Sequence, residues 1–357
     1  MTTTWHTDRE IAAQPRIWRE WAEKLGPLAQ ETRTWLLDRA PGEIWLCGAG
    51  TSAFIGDSLA TTLSGKLGGI PVRAVATTDL VSRPMDYLGG GRRPLVISFG
   101  RSGNSSESIG VLKLLDKHAP EVDRLNITCN GDSALATASV AGPGQQRVIV
   151  LPPECHDQGF AMTSSYTTML LTAIACLSPD TPNDLAATFD GLATAAEQVL
   201  VDHPDIARPA RAVFLGSGPF IGTARESALK VLELTAGEVV TSWDSTLGFR
   251  HGPKAIVNND TLVVIYMSSD PTTRQYDQDI AKEIRGQFPR ATVITVGGKD
   301  ADIPVSAAEG DVWNTAVYVI VAQLLATAWS KSLSLPVDNP FTDGNLTRVV
   351  SDVRLYI

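Results

Sequence analysis

The stretch Ile44-Trp45-Leu46-Cys47-Gly48-Ala49-Gly50-Thr51-Ser52-Ala53-Phe54-Ile55-Gly56 has a counterpart later in the chain, Val213-Phe214-Leu215-Gly216-Ser217-Gly218-Pro219-Phe220-Ile221-Gly222. Each is a short apolar run, a Gly-x-Gly turn and a helix start, the order in which a parallel strand feeds a crossover helix. Leu95-Val96-Ile97-Ser98 corresponds to Leu262-Val263-Val264-Ile265, and Leu125-Asn126-Ile127-Thr128 to Thr292-Val293-Ile294-Thr295, at offsets of about 167 residues. One β/α unit has been used twice.

Outward from these anchors, runs of β-branched and apolar residues alternate with longer amphipathic stretches, the pattern of buried parallel strands and the helices that cover them. Strands are expected near 44–47, 72–76, 95–98, 124–128 and 147–151, then near 212–215, 239–241, 261–266, 291–296 and 303–305. Helices are expected at 52–66, 104–118, 163–177, 219–236, 272–287 and 312–331. Ahead of them, Thr7 and Glu10 read as a capping box and Pro15 as the first residue of a helix through Leu25. Pro182 to His203, rich in Ala and Leu, reads as a linking helix. The expected fold class is α/β, with two doubly wound parallel sheets of about five strands each. Its segments are N-terminal helices over 1–40, a first domain over 41–181, the linking helix over 182–205, a second domain over 206–340 and a tail over 341–357.

The 357 residues, 43% of them apolar, suffice for two ordinary cores. Acidic residues outnumber basic ones 39 to 30, for a formal charge of −9, and basic residues occur singly or in short pairs such as Arg92-Arg93. Nucleic acid and anionic membranes are poor partners for such a surface. Cys47, Cys129, Cys155 and Cys176 lie far apart with no C-x-x-C pair, which suggests neither a zinc site nor a disulfide frame. The N-terminus is polar and acidic, unlike a secretory signal, and the longest apolar stretch, Val317 to Trp329, contains Gln323 and is too short for a bilayer. A soluble protein of the reducing cytoplasm is the expectation.

In open α/β sheets ligands bind outside the carboxyl ends of the strands, so the loops there carry the function. Gly48-Ala49-Gly50-Thr51-Ser52 is half of a dinucleotide fingerprint, but Ala53 stands where a third glycine belongs and no acidic residue follows about twenty positions on, so no nicotinamide cofactor is expected. The next loop, Ser98-Phe99-Gly100-Arg101-Ser102-Gly103-Asn104-Ser105, leads into a helix carrying Val111, Leu114 and Leu115. Small hydroxyl residues around glycine at a helix N-terminus suit a phosphate. A serine-rich N-cap would look similar, but Arg101 favours phosphate, because a cation has nothing to stabilise at that end of a helix.

Lys230, Glu233 and His251 fall within a short span of a chain with only five histidines. A carboxylate base, a cation and an imidazole suit proton transfer beside a carbonyl. The competing readings are a surface ion pair for Lys230 and Glu233, and turn packing for His251 before Gly252-Pro253. Cys155-His156-Asp157 reads as loop, since neighbours in sequence rarely converge on one atom, and Trp5, Trp18, Trp21 and Trp35 read as helix packing.

In order, the Gly-Thr-Ser loop, the Ser102-Gly103-x-Ser105 loop, Ala228-Leu229-Lys230-x-x-Glu233 and His251-Gly252-Pro253 resemble the double SIS (sugar isomerase) module, as in the isomerase half of glucosamine-6-phosphate synthase, from about residue 40 onward. Thr7-x-Arg9-Glu10-Ile11-x-x-Gln14-Pro15, Ser98-Phe99-Gly100-Arg101-Ser102-Gly103-Asn104-Ser105 and Asn345-x-x-Arg348-Val349-Val350 are similar to the AgaS-type branch, which covers galactosamine-6-phosphate deaminases, also named tagatose-6-phosphate ketose/aldose isomerases. The resemblance implies that Thr51, Ser52, Ser102 and Ser105 hold the sugar phosphate, with Arg101 added in this branch, and that Ser164 contacts the sugar. It implies Glu233 as the carboxylate that moves a proton between C1 and C2, Lys230 as its neighbour, and His251 as the ring-opening histidine, supplied by the other subunit of a homodimer that could pair further into a tetramer. The tail completes the active site.

Two departures matter. There is no cysteine at position 2 and no room for a glutaminase domain before residue 40, which favours releasing ammonia or handling none. Arg348 stands where the synthase has a lysine, and a guanidinium does not readily form a Schiff base; it can bind an anion or polarise a carbonyl. The expected reaction is deamination of galactosamine 6-phosphate to tagatose 6-phosphate, needing neither metal nor organic cofactor. Alternatives are a hexose-phosphate isomerase without nitrogen chemistry, a deaminase of glucosamine 6-phosphate or a fructosamine phosphate, and a non-catalytic sugar-phosphate sensor.

Overall fold

The structure, a computed structural model, describes residues 5–202, 205–305, 310–351 and 353–356. Residues 1–4, 203–204, 306–309, 352 and 357, which fall within the expected segments, lie outside the described residues. The elements are α1 (His6–Arg39), β1 (Glu43–Gly48), α2 (Thr51–Leu63), β2 (Val72–Ala76), α3 (Thr77–Ser82), α4 (Pro84–Leu88), β3 (Pro94–Gly100), α5 (Ser106–His118), β4 (Asp123–Thr128), α6 (Ala134–Thr137), β5 (Gln146–Val150), α7 (Ser164–Leu177) and α8 (Leu185–Asp202). After them come β6 (Arg211–Gly216), α9 (Phe220–Leu234), β7 (Val240–Asp244), β8 (Thr261–Tyr266), α10 (Pro271–Gln287), β9 (Thr292–Gly297), β10 (Ile303–Pro304) and α11 (Asp311–Ser332).

The chain divides into two compact units whose segments interleave in sequence. One comprises Glu20–Asp157, Ser164–Ala186 and Thr347–Ile357; the other comprises Met1–Arg19, Gln158–Thr163 and Ala187–Leu346. The first holds a parallel sheet in the order β2-β1-β3-β4-β5, the second one in the order β10-β9-β8-β6-β7. Counted from its own first strand, each sheet has the order 2-1-3-4-5, so the repeated motif reflects a repeated topology. Among strands flanked on both sides, β1, β3, β4 and β8 are buried along their whole length; β3 and β8 are largely apolar runs, whereas β4 buries Asp123, Arg124 and Asn126 as well. The edge strands β2 and β7 carry exposed positions. Trp45, Cys47, Val75, Val96, Val111 and Leu115 form one core cluster; Val213, Leu215, Phe249, Val263, Ile265 and Ile284 form another.

The N-terminal expectation needs correction. A single helix, α1, runs straight through Pro15 and Pro27. Pro15 lacks the N–H that would bond to the Ile11 carbonyl, a loss that ordinarily breaks a helix. The neighbouring side chain repairs it: Gln14 Nε2 donates to Ile11 O at 3.1 Å and to Gln323 Oε1 at 2.9 Å. Burial of Ile11, Ile17, Trp18, Trp21, Leu25, Trp35 and Leu36 carries the rest of the cost. No capping box forms either. The Asp338 carboxylate accepts from His6 N, Thr7 N and Thr7 Oγ1 at 2.8–2.9 Å, while Glu10 accepts from Gln158 N at 2.5 Å. Both box residues are committed to partners far away in sequence.

α11 is long and apolar enough to span a bilayer, unlike the shorter run expected from sequence, but 83% of its apolar window is buried inside the protein. It serves as the core helix packed on α9.

Candidate functional site

In a 2-1-3-4-5 sheet the strand order reverses between the first and third strands, and the crevice beyond their carboxyl ends is the natural ligand site. In the first unit this places the loop after β1 beside the loop after β3. The β1 loop turns tightly: a Cβ on Gly48 would lie 2.4 Å from Ser52 C, so only glycine fits. Thr51 and Ser52 begin α2 and are nearly buried, at 5% exposure each. In the β3 loop, Gly103 has φ +63°, and a Cβ there would lie 2.3 Å from Ser133 Oγ. Loop rigidity comes from Asn130, whose Nδ2 donates to Ser102 O at 3.2 Å, and from Asn104, whose Oδ1 accepts from Ala134 N at 2.8 Å.

Ser105 is the N-cap of α5: its Oγ accepts from Ser108 N at 3.2 Å and donates to Ser108 Oγ at 2.9 Å. Ser102 Oγ accepts from Asn104 N at 3.3 Å. The capping reading is therefore realised for Ser105, and its hydroxyl remains at a helix N-terminus where anions are favoured. Arg101 is only 6% exposed, and its Nη2 donates to the Arg348 carbonyl at 3.1 Å. Ser106 N donates to Val350 O, and Val353 N to Ser106 Oγ, both at 3.2 Å. The tail thus lies along the α5 N-terminus, its backbone fastened by Arg101 and Ser106. Beside it a cavity of about 370 Å³ is lined by Thr78, Val81, Ser82, Glu107, Arg354, Leu355 and Tyr356.

Ser164 is fully buried at the start of α7, where Asp157 caps the helix. Asp157 Oδ1 accepts from Ser164 N at 3.1 Å and Ser164 Oγ at 2.5 Å; Oδ2 accepts from Ser165 N at 2.9 Å and Ser165 Oγ at 2.5 Å. Cys155, His156 and Asp157 do not converge on one atom, but they are more than plain loop. Besides the Asp157 cap, Cys155 Sγ lies 3.9 Å from Cys129 Sγ, both buried thiols. His156 is half-buried, and burial, followed by the charges of Arg348 and Arg101, holds its imidazole below the usual range while Asp157 pulls the other way. Sequence reasoning missed this imidazole beside the cations of the β3 loop and the tail, because only the fold brings positions 101, 156 and 348 together.

In the second unit the loop after β8 is tied to carboxylates of its own unit. Asp270 accepts from Thr272 N and Thr273 N at 3.1 and 2.8 Å, Asp277 from Ser268 N at 2.9 Å, and Asp311 from Ser269 N at 2.7 Å and from Ser268 Oγ. Burial pushes Asp277 up to about 6. Three aspartates there occupy backbone donors that an anion would need.

The second unit's chemistry lies on α9. Residues three and four apart share a helix face. Lys230 Nζ is 2.6 Å from Glu233 Oε2 and 3.4 Å from Glu226 Oε1. Lys230 and Glu226 expose nothing, and the Glu233 side chain is 23% exposed. The surface-pair reading fails on the burial of Lys230. Glu226 was missed; its signal was a carboxylate four residues before Lys230 on the same face. His251 does not join this cluster. It follows the 3₁₀ turn Gly248–Arg250, its N–H donates to Gly248 O at 2.9 Å, and its side chain is exposed, with no hydrogen bond to Lys230 or Glu233 among the described residues. Among the described residues no group of three or more His, Cys, Asp or Glu could hold a metal ion.

A solvent-reaching carboxylate held by a buried ammonium can exchange a proton at carbon next to a carbonyl and stabilise the resulting oxyanion. Hydroxyls and a guanidinium at helix N-termini can hold a phosphate.

Residues 37–178 match the model of the SIS domain. The chain is 40% identical to the D-galactosamine-6-phosphate deaminase AgaS of Escherichia coli O157:H7 over 99% of its length and 96% of that protein. It is 39% identical to the protein of the same name from Shewanella sp. strain ANA-3, over 98% of its length and 91% of that protein. Among solved structures, the tagatose-6-phosphate ketose/aldose isomerase of Escherichia coli superposes with a TM-score of 0.87 at 39% identity, covering 95% of this chain and 96% of that one.

Proposed function

The chain belongs to the SIS-domain family, in its AgaS branch, and we propose that it is a sugar-phosphate deaminase that turns galactosamine 6-phosphate and water into tagatose 6-phosphate and ammonia. The observation that carries the chemistry is the Glu233 carboxylate, partly open to solvent and 2.6 Å from a wholly buried ammonium. In this reading Thr51, Ser52, Arg101, Ser102 and Ser105 hold the phosphate, Ser164 orders the sugar, and Arg348 and the tail enclose it.

His251 opens the pyranose by moving protons between the ring oxygen and the C1 hydroxyl. Its exposed position suits a histidine donated to a second copy of the chain, so the working form is at least a homodimer. Glu233 then takes the proton from C2: the C2–H bond breaks, its electron pair forms C1=C2, and the carbonyl pair moves onto O1, where Lys230 stabilises the charge. O1 is protonated, and return of a proton to C1 leaves an iminium at C2. Water adds there and ammonia departs, giving the C2 ketone. No step calls on a metal or organic cofactor. The protein acts among small metabolites of the cytoplasm.

A second reading is favoured by the name of the Escherichia coli structure: with a hydroxyl at C2 the same enolisation is an aldose–ketose isomerisation. Ammonia and ketose release are measured with galactosamine 6-phosphate, glucosamine 6-phosphate and the neutral aldose phosphates in parallel. Ammonia from galactosamine 6-phosphate is expected. Ketose from neutral sugars alone supports the isomerase, ammonia from the gluco epimer alone changes the substrate, and turnover of none supports a sensor.

A further inference from the structure

In the first unit, β5 lies beside β4, and the loop after β5 joins a chain of loops along the carboxyl edge of the sheet. Leu151 N donates to Thr128 O at 2.9 Å, Cys155 Sγ packs 3.9 Å from Cys129 Sγ, and Asn130 Nδ2 donates to Ser102 O at 3.2 Å. His156 ends the short turn Pro153–Cys155 in this chain, where its N–H donates to Pro153 O at 3.1 Å. Its side chain is half-buried, and its imidazole makes no hydrogen bond among the described residues.

The charged groups that act on this imidazole come from three segments. Arg101 belongs to the β3 loop and reaches the tail through Arg348 O, Arg348 belongs to the tail, and Asp157 is the next residue in the chain. Asp157 directs its oxygens to Ser164 and Ser165. The neighbouring thiols are Cys155 and Cys129, the latter held well up by its contact with Cys155 and by burial, so it stays protonated. Packing alone gives no reason to set a ring with two polar nitrogens against two guanidiniums, whereas an oxyanion lying among them gives it a partner. In the free protein burial, then the charges of Arg348 and Arg101, holds the imidazole below its usual range against the pull of Asp157, so it is neutral at pH 7. A sugar phosphate is mostly a dianion there, its second pKa being about 6. Two negative charges reverse the field of the guanidiniums, and an imidazolium donates from both ring nitrogens.

We propose, on the reading that Arg101, Ser102 and Ser105 hold the sugar phosphate, that His156 is a further ligand of that phosphate and takes up a proton as it binds. His156 then binds its proton more tightly in the complex than in the free protein. Affinity for the phosphate is gained as pH falls and lost as pH rises through the titration of the complex.

Galactitol 6-phosphate, which has no carbonyl to react, is titrated into the full-length protein by calorimetry in two phosphate-free buffers of different ionisation enthalpy. At about pH 7.5 the wild type should take up roughly half a proton to one proton per ligand, and its Kd should rise about tenfold or more between about pH 7 and 9. His156→Gln should take up none, bind about tenfold more weakly than wild type at about pH 7, and match it at about pH 9. A ring that only packs would change Kd equally at both. His156→Asn replaces the variant should His156→Gln fail to fold, and the wild-type proton count stands without either. Absence of proton uptake by the wild type, uptake that persists in His156→Gln, or a loss of affinity independent of pH would overturn the proposal. Ammonia release from the same preparations separates this role from the reaction: a wild type that binds with proton uptake but releases no ammonia keeps His156 as a phosphate ligand in a protein that is not a deaminase. A wild type that does not bind galactitol 6-phosphate removes the phosphate site and this role together.

Discussion

Replacing Glu233 by Gln keeps the shape of the side chain and an acceptor for Lys230 but removes the base. General-base catalysis contributes about 10²- to 10⁴-fold, so kcat should fall by that factor, equivalent to about 3–5 kcal/mol of barrier. The structural cost can be bounded separately. Lys230 is wholly buried and exchanges a charged partner at 2.6 Å for a neutral one, while Glu226 remains at 3.4 Å. A charged hydrogen bond exceeds a neutral one by about 1–2 kcal/mol, so Tm should drop by roughly 2–8 °C at the 2–4 °C per kcal/mol of a large domain. A drop of that size is read directly from the melt, and in a variant whose melt lies above the assay temperature lost turnover reports chemistry. The assay pairs steady-state ammonia release with competition by the sugar alcohol phosphate. A kcat within tenfold of wild type, with an unchanged inhibition constant, would refute Glu233 as the base.

Three further outcomes follow from the geometry. Arg101→Gln should raise KM for the sugar phosphate by about 10- to 100-fold with kcat within a few-fold, since a charge-assisted bond contributes about 1.5–3 kcal/mol; unchanged KM and unchanged affinity for inorganic phosphate would remove Arg101 from the site. Asp157→Ala strips the cap from two buried amides and two hydroxyls at the start of α7 and should cost about 3–5 kcal/mol, read by denaturant titration, whereas a cost under 1 kcal/mol would deny Asp157 that role. Asp277, buried and raised to about 6 from an ordinary 3.8, binds its proton more tightly folded than unfolded. Its contribution is therefore present below pH 4 and lost as pH rises through 6, roughly 3 kcal/mol in all; Asp277→Asn should flatten that slope and raise stability at pH 7, and an unchanged slope between pH 4 and 6 would contradict it.

Much of the fold was legible because its signals are local. Central strands such as β3 and β8 are continuous apolar runs, and Gly48 marks an approach that admits no side chain. The repeat Ile44 to Gly56 and Val213 to Gly222 announced two copies of one topology. Lys230 and Glu233, three apart on one helix, were bound to be neighbours wherever the helix lay. Local rules failed where a distant partner overrode them. Pro15 should have opened a helix and instead sits inside one, because Gln14 takes over the stranded carbonyl. Thr7 and Glu10 should have capped each other but are claimed by Asp338 and by the backbone at 158.

The sequence by itself determined the α/β class, the doubled sheet, the cationic loop after β3 and the pairing of Lys230 with Glu233 on one helix, since each depends on side chains within a few residues of one another. Tertiary structure decided the rest: the complete burial of Lys230 with Glu226, the Asp157 cap on α7, the tail fastened on Arg101 and Ser106, and the exposed stand of His251 apart from Glu233. The physical reason is that burial and charge environment depend on which distant segments exclude water from a group, and no periodicity in the chain encodes that.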